Sequence, residues 1–359
     1  MIERLSRDEL VERVKRHAAT LDLSENPFAT AAWLRNYLKH VATAVDCQYL
    51  LAQVEGRALM LLQADARAPA QARALNNYYS SLFTPLAGDR AEGDAERVVE
   101  ALSATRPALA TVDLSPLSED DADMVELAFK ARGWMTRRYD CFGNWYLPCE
   151  GLLFEGFMSE RPWRRTVTNW ARKEKNSKTG PIIRLEVVTE PDDVARAISA
   201  YEHVYSKSWK RSEPYPGFVP GWAAECAARG WLRLGIAWSG DAPIASQFWF
   251  TAQRRAYIYK LAYDETYAKL SAGTVLSAHM FRHALEVDRV IEIDYLTGDD
   301  AYKRTWMAHR RQRVGVIACN PRTFRGAMRA AYEWAGATRH RLWPSAPAKG
   351  HTTVSDRQA

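Results

Sequence analysis

The chain has 359 residues, which is enough for about two domains of ordinary size, each able to bury a hydrophobic core. Its 47% hydrophobic and 26% charged residues are ordinary for a globular protein. The formal net charge of +6 favours anionic partners. The five cysteines are scattered and form no C-x-x-C pair, so neither a disulfide framework nor a zinc site is expected.

The N-terminal segment predicts an amphipathic helix over 1–23, because its apolar residues fall at helical spacing. It lacks the continuous apolar stretch of a signal peptide, and nowhere in the chain do about 18 apolar residues follow one another. Together with the cysteine pattern, this predicts a cytoplasmic protein without a membrane span.

The first half of the chain alternates helical and extended patterns. Helices are predicted over about 27–41, 92–104 and 118–134, and strands over 47–54, 57–64, 108–117 and 135–147. Glu55 and Gly56 form the predicted turn between the first two strands.

The second half repeats this order. Helices are predicted over about 160–179, 191–209, 274–287 and 323–338, and strands over 182–189, 231–238, 243–250, 256–263, 290–296 and 314–320. The repetition predicts an α/β chain with two similar domains, over 24–150 and 160–340. The small, polar residues of 344–359 predict a disordered tail.

A site for an anionic ligand is predicted where the strand over 256–263 leads into a helix. Ser271, Gly273 and Thr274 lie at the start of that helix, where unpaired backbone N–H groups suit a pyrophosphate, and Lys269 adds positive charge. Ligands of α/β sheets gather beyond the carboxyl ends of strands. The next strand ends in the stretch IDYLTGDDAYKRTW, residues 293–306, so this charged loop would line the same cleft.

These segments resemble the GNAT-type acyltransferases of the FemAB-like group, in particular its CelD-type branch, which is linked to cellulose and other exopolysaccharide synthesis. The matching positions are Tyr263, Asp264, Tyr267, Ser271, Gly273, Thr274, Asp294, Tyr295, Leu296, Gly298, Asp299, Tyr302 and Lys303. The stretch NNYYSSLFTPL, residues 76–86, also resembles an Asn-Tyr-Tyr-Ser segment of such proteins. The likeness covers roughly 25–335 and is most specific over 257–306.

The resemblance implies two tandem GNAT-like lobes, each a mixed, mostly antiparallel sheet flanked by helices. It also implies no tightly bound cofactor, an acyl-CoA cosubstrate such as acetyl-CoA, and an amine or hydroxyl acceptor, which would be a small molecule or a cell-envelope or exopolysaccharide precursor. Leu270 and Val275 depart from the usual (Gln/Arg)-x-x-Gly-x-(Gly/Ala) phosphate loop, so the acyl-CoA species stays open.

The resemblance also assigns roles to residues. A backbone N–H of the central strand would stabilise the oxyanion, within the segment Lys260, Leu261, Ala262 and Tyr263. Asp294 or Asp299 would act as the base, directly or through water, and Tyr302 would protonate the leaving thiolate. Lys303 would pair with a phosphate or a substrate carboxylate.

Each assignment has a structural alternative. Asp299 could cap a turn, Asp294 could be a buried acid paired with Lys260 or Arg304, and Tyr302 could serve packing alone. The aromatic residues Trp209, Tyr215, Phe218 and Trp222 could wall an acceptor pocket or belong to the core.

Two other functions remain open at this point. Some FemAB-like relatives use aminoacyl-tRNA, and the basic helix over 160–179 could contact RNA or an anionic glycan, or simply face solvent. The lack of a heptad-patterned insertion favours acyl-CoA over tRNA. The third function is that of a non-catalytic relative that binds carbohydrate or a partner.

The first half has no counterpart of the Gly-Asp-x-x-Tyr-Lys motif, so one active site is expected, in the second half. His279 and His283 have ligand spacing without the acidic partner of a zincin motif, so no metal site is expected.

Overall fold

The structure is a computed structural model that describes residues 2–42, 47–178 and 182–342, with side chains up to residue 335. The predicted tail over 344–359 lies outside the described residues.

Thirteen strands in these ranges form a single mixed sheet. They are β1 (Ile2–Leu5), β2 (Cys47–Val54), β3 (Ala58–Asp65), β4 (Gln71–Ala74), β5 (Ala87–Gly88), β6 (Thr111–Leu117), β7 (Met135–Pro148), β8 (Arg184–Val188), β9 (Leu232–Ser239), β10 (Ala242–Ala252), β11 (Arg255–Tyr263), β12 (Glu292–Asp294) and β13 (His309–Cys319). Their spatial order is β1-β2-β3-β4-β6-β13-β7-β12-β11-β10-β9-β8, with β5 added beside β3.

Helices cover both faces of this sheet. They are α1 (Arg7–Arg16), α2 (Ala18–Leu21), α3 (Ala31–His40), α4 (Asp94–Ser103), α5 (Glu119–Ala131), α6 (Phe154–Ser159), α7 (Arg164–Asn176), α8 (Val194–Ser206), α9 (Phe218–Ala228), α10 (Ala272–Arg282), α11 (Ala301–Arg304) and α12 (Phe324–Leu342). Short 3-10 helices occupy Pro27–Ala29, Pro191–Asp193 and Glu265–Leu270, and a π-helical turn, His283–Val287, follows α10.

The predicted fold class is confirmed, because only β4–β6 and β11–β12 pair in parallel among the named strands and every other pairing is antiparallel. The two halves share one sheet, however, since each gives its last strand to the middle. β13 lies between β6 and β7, and β7 lies between β13 and β12. β7 and β13 pair along almost their whole length, from Met135 with Cys319 to Tyr146 with His309. The division into 24–150 and 160–340 therefore stays a prediction, because the sheet runs across it.

The predicted N-terminal helix over 1–23 does not begin at the chain start. Residues Ile2–Leu5 form β1 on the edge of the sheet, paired with β2. Ser6 then begins α1 with a capping box, in which its side chain and that of Glu9 each accept a backbone N–H. The amphipathic pattern was compatible with both structures, and the free edge of β2 selects a strand for the first residues.

Candidate active site

The sheet opens at the end of β11. β11 and β12 pair in parallel over three residues each, Arg255–Tyr257 with Glu292–Asp294. β11 then continues to Tyr263 with only β10 beside it, so the edge of 258–263 facing β12 has no strand partner in the described chain. The pairing with β10 also skips Tyr259, which makes a β-bulge before Lys260. The predicted oxyanion segment Lys260 to Tyr263 thus lies along an open strand edge.

The start of α10 stands against this edge. Ser271 has a left-handed backbone with φ of 55°, and α10 begins after it without a side-chain cap. In the described residues, nothing accepts a hydrogen bond from the N–H groups of Ala272, Gly273 and Thr274, as expected for an uncapped first turn. A Cβ on Gly273 would lie 3.4 Å from Cδ1 of Tyr263. The structure therefore brings Ser271, Gly273 and Thr274 next to Tyr263, while Lys269 is exposed on the preceding 3-10 helix.

Asp294 is the centre of a buried ion-pair network. Its Oδ1 accepts hydrogen bonds from Asn144 Nδ2 and from the N–H of Leu296, both at 2.6 Å. Its Oδ2 accepts one from Arg311 Nη2 at 2.5 Å, and Arg313 lies 3.9 Å away. The alternative of a buried, paired acid matches this arrangement, but with Arg311 in place of Lys260 or Arg304. Both oxygens are occupied, so Asp294 holds the end of β12 rather than facing the opening.

Lys303 is also engaged inside the protein. Its side chain is 10% exposed, and Nζ donates to the backbone carbonyls of Tyr295 at 3.2 Å and of Thr297. Burial lowers the pKa of Lys303, although nearby carboxylates, Asp300 first, oppose this effect. In the described chain Lys303 thus holds the loop after β12, and its contact with a phosphate stays a prediction.

Asp299 and Tyr302 lie on opposite sides of the same loop. Asp299 accepts hydrogen bonds from Trp145 Nε1 at 2.7 Å and from Arg310 Nη2 at 2.8 Å, and the Arg310 contact lowers its pKa. The hydroxyl of Tyr302 lies 3.4 Å from Ser277 Oγ on α10, and burial raises the pKa of Tyr302. Asp299 is therefore held at the surface by a cation, whereas Tyr302 stays protonated beside α10.

The sequence did not indicate a second ion pair, which joins β11 to the segment between α8 and α9. Lys260 Nζ donates to Glu213 Oε1 at 2.7 Å, and the two side chains are 11% and 10% exposed. Glu213 belongs to the irregular segment between α8 and α9, where no periodicity marks it. Burial lowers the pKa of Lys260, against the attraction of Glu213.

The first half of the chain reaches this ion pair through the loop at 76–86. The rings of Tyr78 and Tyr79 stand 5.1 and 5.0 Å from Lys260 Nζ. Thr297 Oγ1 donates to Ser81 Oγ at 2.8 Å, which joins the loop to the end of β12. The resemblance had singled out this Asn-Tyr-Tyr-Ser stretch, and the structure places it beside the opening.

The aromatic residues considered for an acceptor pocket divide between core and surface. Phe218 and Trp222 are fully buried, and Trp33 packs edge-on against Trp222 with ring centroids 4.9 Å apart. Trp209 is 37% exposed, with its ring 4.8 Å from that of Tyr263. Of the predicted residues, Trp209 thus lies at the mouth of the opening.

The described part of the chain shows neither a candidate membrane-spanning helix nor a candidate metal site. None of its helices combines the length and apolar character that a membrane crossing requires. Nor, within the same residues, do three or more His, Cys, Asp or Glu side chains gather so that they could hold a metal ion.

Part of the chain is similar in sequence to a known protein family. Residues 164–304 match a family model described as an acetyltransferase (GNAT) domain, which is less than half of the chain. No curated protein matches the chain significantly.

Several solved structures share the whole fold at low sequence identity. The C-terminal domain of a putative lysylphosphatidylglycerol synthetase from Agrobacterium fabrum has a TM-score of 0.58 at 14% identity, covering 93% of this chain and 98% of its own. FemX has a TM-score of 0.59 at 9% identity, with coverages of 89% and 96%. L-PGS from Bacillus licheniformis has 0.54 at 12%, with coverages of 90% and 96%. Residues 164–304 are therefore similar to an acetyltransferase (GNAT) domain, and the chain as a whole has a fold similar to those of FemX, L-PGS and the C-terminal domain from Agrobacterium fabrum.

Proposed function

We propose that the chain is an acyltransferase that moves an acyl group from acyl-CoA to an amine or hydroxyl acceptor, at a single site in its second half. The observation that carries this proposal is the separation of β11 from β12 beside the uncapped start of α10. A pyrophosphate would bind the N–H groups of Ala272, Gly273 and Thr274 with help from Lys269. The match of this segment to an acetyltransferase domain supports the same assignment.

The first half offers no equivalent opening in the described residues. There the loop at 76–86 folds back over the corresponding strand β6, with the N–H of Phe83 donating to the carbonyl of Pro116 at 2.7 Å. Asn76 Nδ2 donates to the carbonyl of Ser115 on the same strand. The gap beside β6 is thus occupied by the chain itself, which supports one active site.

The chemistry requires an oxyanion donor, a base and a proton for the leaving group. We assign the oxyanion to a backbone N–H within Lys260 to Tyr263, because this edge of β11 is free to meet a thioester carbonyl. Tyr302 remains our candidate to protonate the thiolate, since its raised pKa keeps the hydroxyl protonated. We assign Asp294 and Asp299 to positioning the loop, because arginine side chains occupy their carboxylates.

The finer parts of the proposal concern the acceptor. The resemblance to CelD-type proteins supports a cytoplasmic enzyme that modifies a cell-envelope or exopolysaccharide precursor. Exposed aromatic rings at the mouth, Tyr78 at 72% and Trp209 at 37%, provide flat surfaces of the kind that hold sugar rings.

Transfer from aminoacyl-tRNA is the second candidate, and the surface of α7 favours it. The described chain shows no ion pair for the six exposed basic residues on and beside this helix, which are Arg164, Arg165, Arg172, Lys173, Lys175 and Lys178. Such an unpaired basic face suits a polyanion. The FemAB-like resemblance points the same way.

A thermal-shift titration tests the donor. Acetyl-CoA, longer acyl-CoAs and free CoA are added to the wild type, to Lys269→Met and to the control Lys39→Met, whose exposed lysine lies on α3. A ligand at about 100 times its Kd stabilises the folded state by about 2.7 kcal/mol. We expect a shift in the wild type and the control, and a weaker one in Lys269→Met. No shift with any CoA species, together with nucleic acid that copurifies until nuclease treatment, would favour the tRNA candidate instead.

A further inference from the structure

We propose that the acceptor is a neutral carbohydrate hydroxyl, which binds around the Lys260–Glu213 ion pair and gives its proton to Glu213. This inference rests on the proposed acyl transfer and names the acceptor side of the same site. The acceptor site consists of Glu213 and Lys260 with the tyrosines around them, Tyr79, Tyr201 and Tyr259.

Unsatisfied polar atoms concentrate at this site. Glu213 Oε2 and the hydroxyls of Tyr79, Tyr201 and Tyr259 are buried without a hydrogen bond of ordinary geometry in the described chain. Tyr79 and Tyr201 are each only 2% exposed. Native proteins seldom leave buried polar groups unpaired, so four of them around one ion pair indicate that a polar ligand completes the site.

The same side chains lie beside the segment of β11 where acyl transfer would occur. Lys260 is the first residue after the bulge of β11, on the segment whose edge is open. Tyr79 comes from the first half of the chain, stacked on Phe218 with ring centroids 4.1 Å apart. The site therefore needs both halves, with the exposed rings of Tyr78 and Trp209 at its mouth.

The charges here favour a neutral acceptor. Lys260 pairs with Glu213, and burial followed by the charge of Lys260 lowers the pKa of the half-buried Lys210 to about 8. The charges of Glu213 and Asp300 on Lys210 are opposed by that of Lys303. At neutral pH the ammonium groups of Lys260 and Lys210 would therefore repel a protonated amine. Burial and then the charge of Glu213 raise the pKa of Tyr201 and Tyr79, so these hydroxyls stay available as hydrogen-bond donors.

Glu213 has the properties that a proton acceptor requires. Burial alone would raise the pKa of Glu213, but the charge and hydrogen bond of Lys260, together with the nearby hydroxyls of Tyr205 and Tyr79, outweigh this effect and lower the pKa below its ordinary value. The group is therefore a carboxylate at neutral pH, with Oε1 held by Lys260 and without a protein hydrogen bond of ordinary geometry at Oε2. This contrasts with Asp294, both of whose oxygens are already occupied.

The transfer step balances with these groups. The acceptor oxygen attacks the thioester carbonyl carbon while its proton passes to Glu213 Oε2. The carbon–sulfur bond then breaks, the acyl ester forms, and CoA leaves as a thiolate that takes up one proton. Glu213 releases its proton to solvent, so the net products are an ester and free CoA.

The test is a competition assay with labelled acetyl-CoA and equal concentrations of cellobiose, which has only hydroxyls, and glucosamine, which has an amine. The variants are Glu213→Gln and the milder Tyr79→Phe. Matched controls are Glu225→Gln, whose carboxylate pairs with Arg35 between α9 and α3, and Tyr332→Phe, on the exposed face of α12. Binding of acetyl-CoA to each protein is measured by calorimetry.

We expect an alkali-labile ester on cellobiose in the wild type and both controls. Glu213→Gln should lower the transfer rate at least about 100-fold, the smaller contribution of a general base, and Tyr79→Phe should lower it about tenfold, both with unchanged acetyl-CoA binding. A stable amide on glucosamine, no product on either sugar, or undiminished transfer in both variants would overturn the inference. If the wild type does not bind acetyl-CoA, the proposed function fails instead.

Discussion

Replacing Lys303 with methionine should destabilise the loop after β12 without removing a contact to the acyl donor. Methionine keeps the length of the side chain but leaves the carbonyls of Tyr295 and Thr297 without their donor. A buried polar group left unpaired costs about 1–3 kcal/mol, so two such groups cost about 2–6 kcal/mol. Relief of the burial that lowers the pKa of Lys303 offsets part of this cost. The expected loss is about 2–3 kcal/mol of unfolding free energy, a large share of an ordinary protein's 5–15 kcal/mol.

Urea denaturation of the wild type, Lys303→Met and Lys269→Met provides the assay, together with calorimetric titration of acetyl-CoA. Lys269 is exposed, so its variant should keep the wild-type unfolding free energy but bind acetyl-CoA more weakly. Lys303→Met should show the opposite pattern. If Lys303→Met unfolds like the wild type and loses affinity for acetyl-CoA, the lysine contacts the donor as the sequence indicated, and the structural reasoning fails.

Three further changes test the electrostatics around the site. Asp294→Asn removes one of the two carboxylates that pair with Arg311, the other being Glu292, and should cost about 2 kcal/mol of unfolding free energy in urea melts. A fully stable, inactive variant would instead support Asp294 as the base. Asp299→Asn removes the partially exposed pair with Arg310 and should cost only about 0.5 kcal/mol. This pair lowers the pKa of Asp299 below 3.8 in the folded protein. The difference in unfolding free energy between wild type and Asp299→Asn should therefore be present above pH 3.8 and disappear as the pH falls through the lowered pKa. A difference in unfolding free energy that persists in acid would contradict the pairing of Asp299 with Arg310. Burial and then the charge of Lys260 lower the pKa of Lys210 to about 8, so its reactivity to acetic anhydride, followed by mass spectrometry, should rise with pH to a midpoint near pH 8. A midpoint near the ordinary lysine pKa of 10.5 would contradict this environment.

The sequence predicted most strands and helices near their observed limits, since each carries its own periodicity. The strand at 256–263 and the following helix are where the pattern placed them. The phosphate-loop prediction also had a local physical basis, because a helix start leaves N–H groups free whatever surrounds it.

Strand partners were not predictable in the same way. The segment HRRQR at 309–313 resembles an exposed loop, and a strand was predicted only from 314. The structure extends β13 back to His309, because Arg311 and Arg313 turn toward Asp294 and Asn144. The exchange of β7 and β13 between the halves depends on contacts between residues that are far apart in the sequence. Arg311 and Asn144, for example, are 167 residues apart. Periodicity specifies which face of a strand is buried but does not specify its neighbour.

The acceptor site was missed for a related reason. Glu213 is a single acidic residue in an irregular segment, and only the fold brings Lys260 and Tyr79 to it. Tyr79 belongs to the stretch 76–86 that carries part of the resemblance, whereas no sequence pattern marks Tyr201 or Tyr259. The combination of an ion pair with unpaired hydroxyls becomes visible only once the burial of each atom is known.

Hydrogen–deuterium exchange with saturating acetyl-CoA tests whether the open edge of β11 and the start of α10 bind the acyl donor. We expect slower exchange in peptides that cover 258–264 and 271–276, where open backbone N–H groups would bind the thioester carbonyl and the pyrophosphate. Peptides over 71–75, at the corresponding position in the first half, should exchange at an unchanged rate. Protection confined to the first half, or none at the start of α10 although acetyl-CoA is bound, would rule out a donor site at this opening.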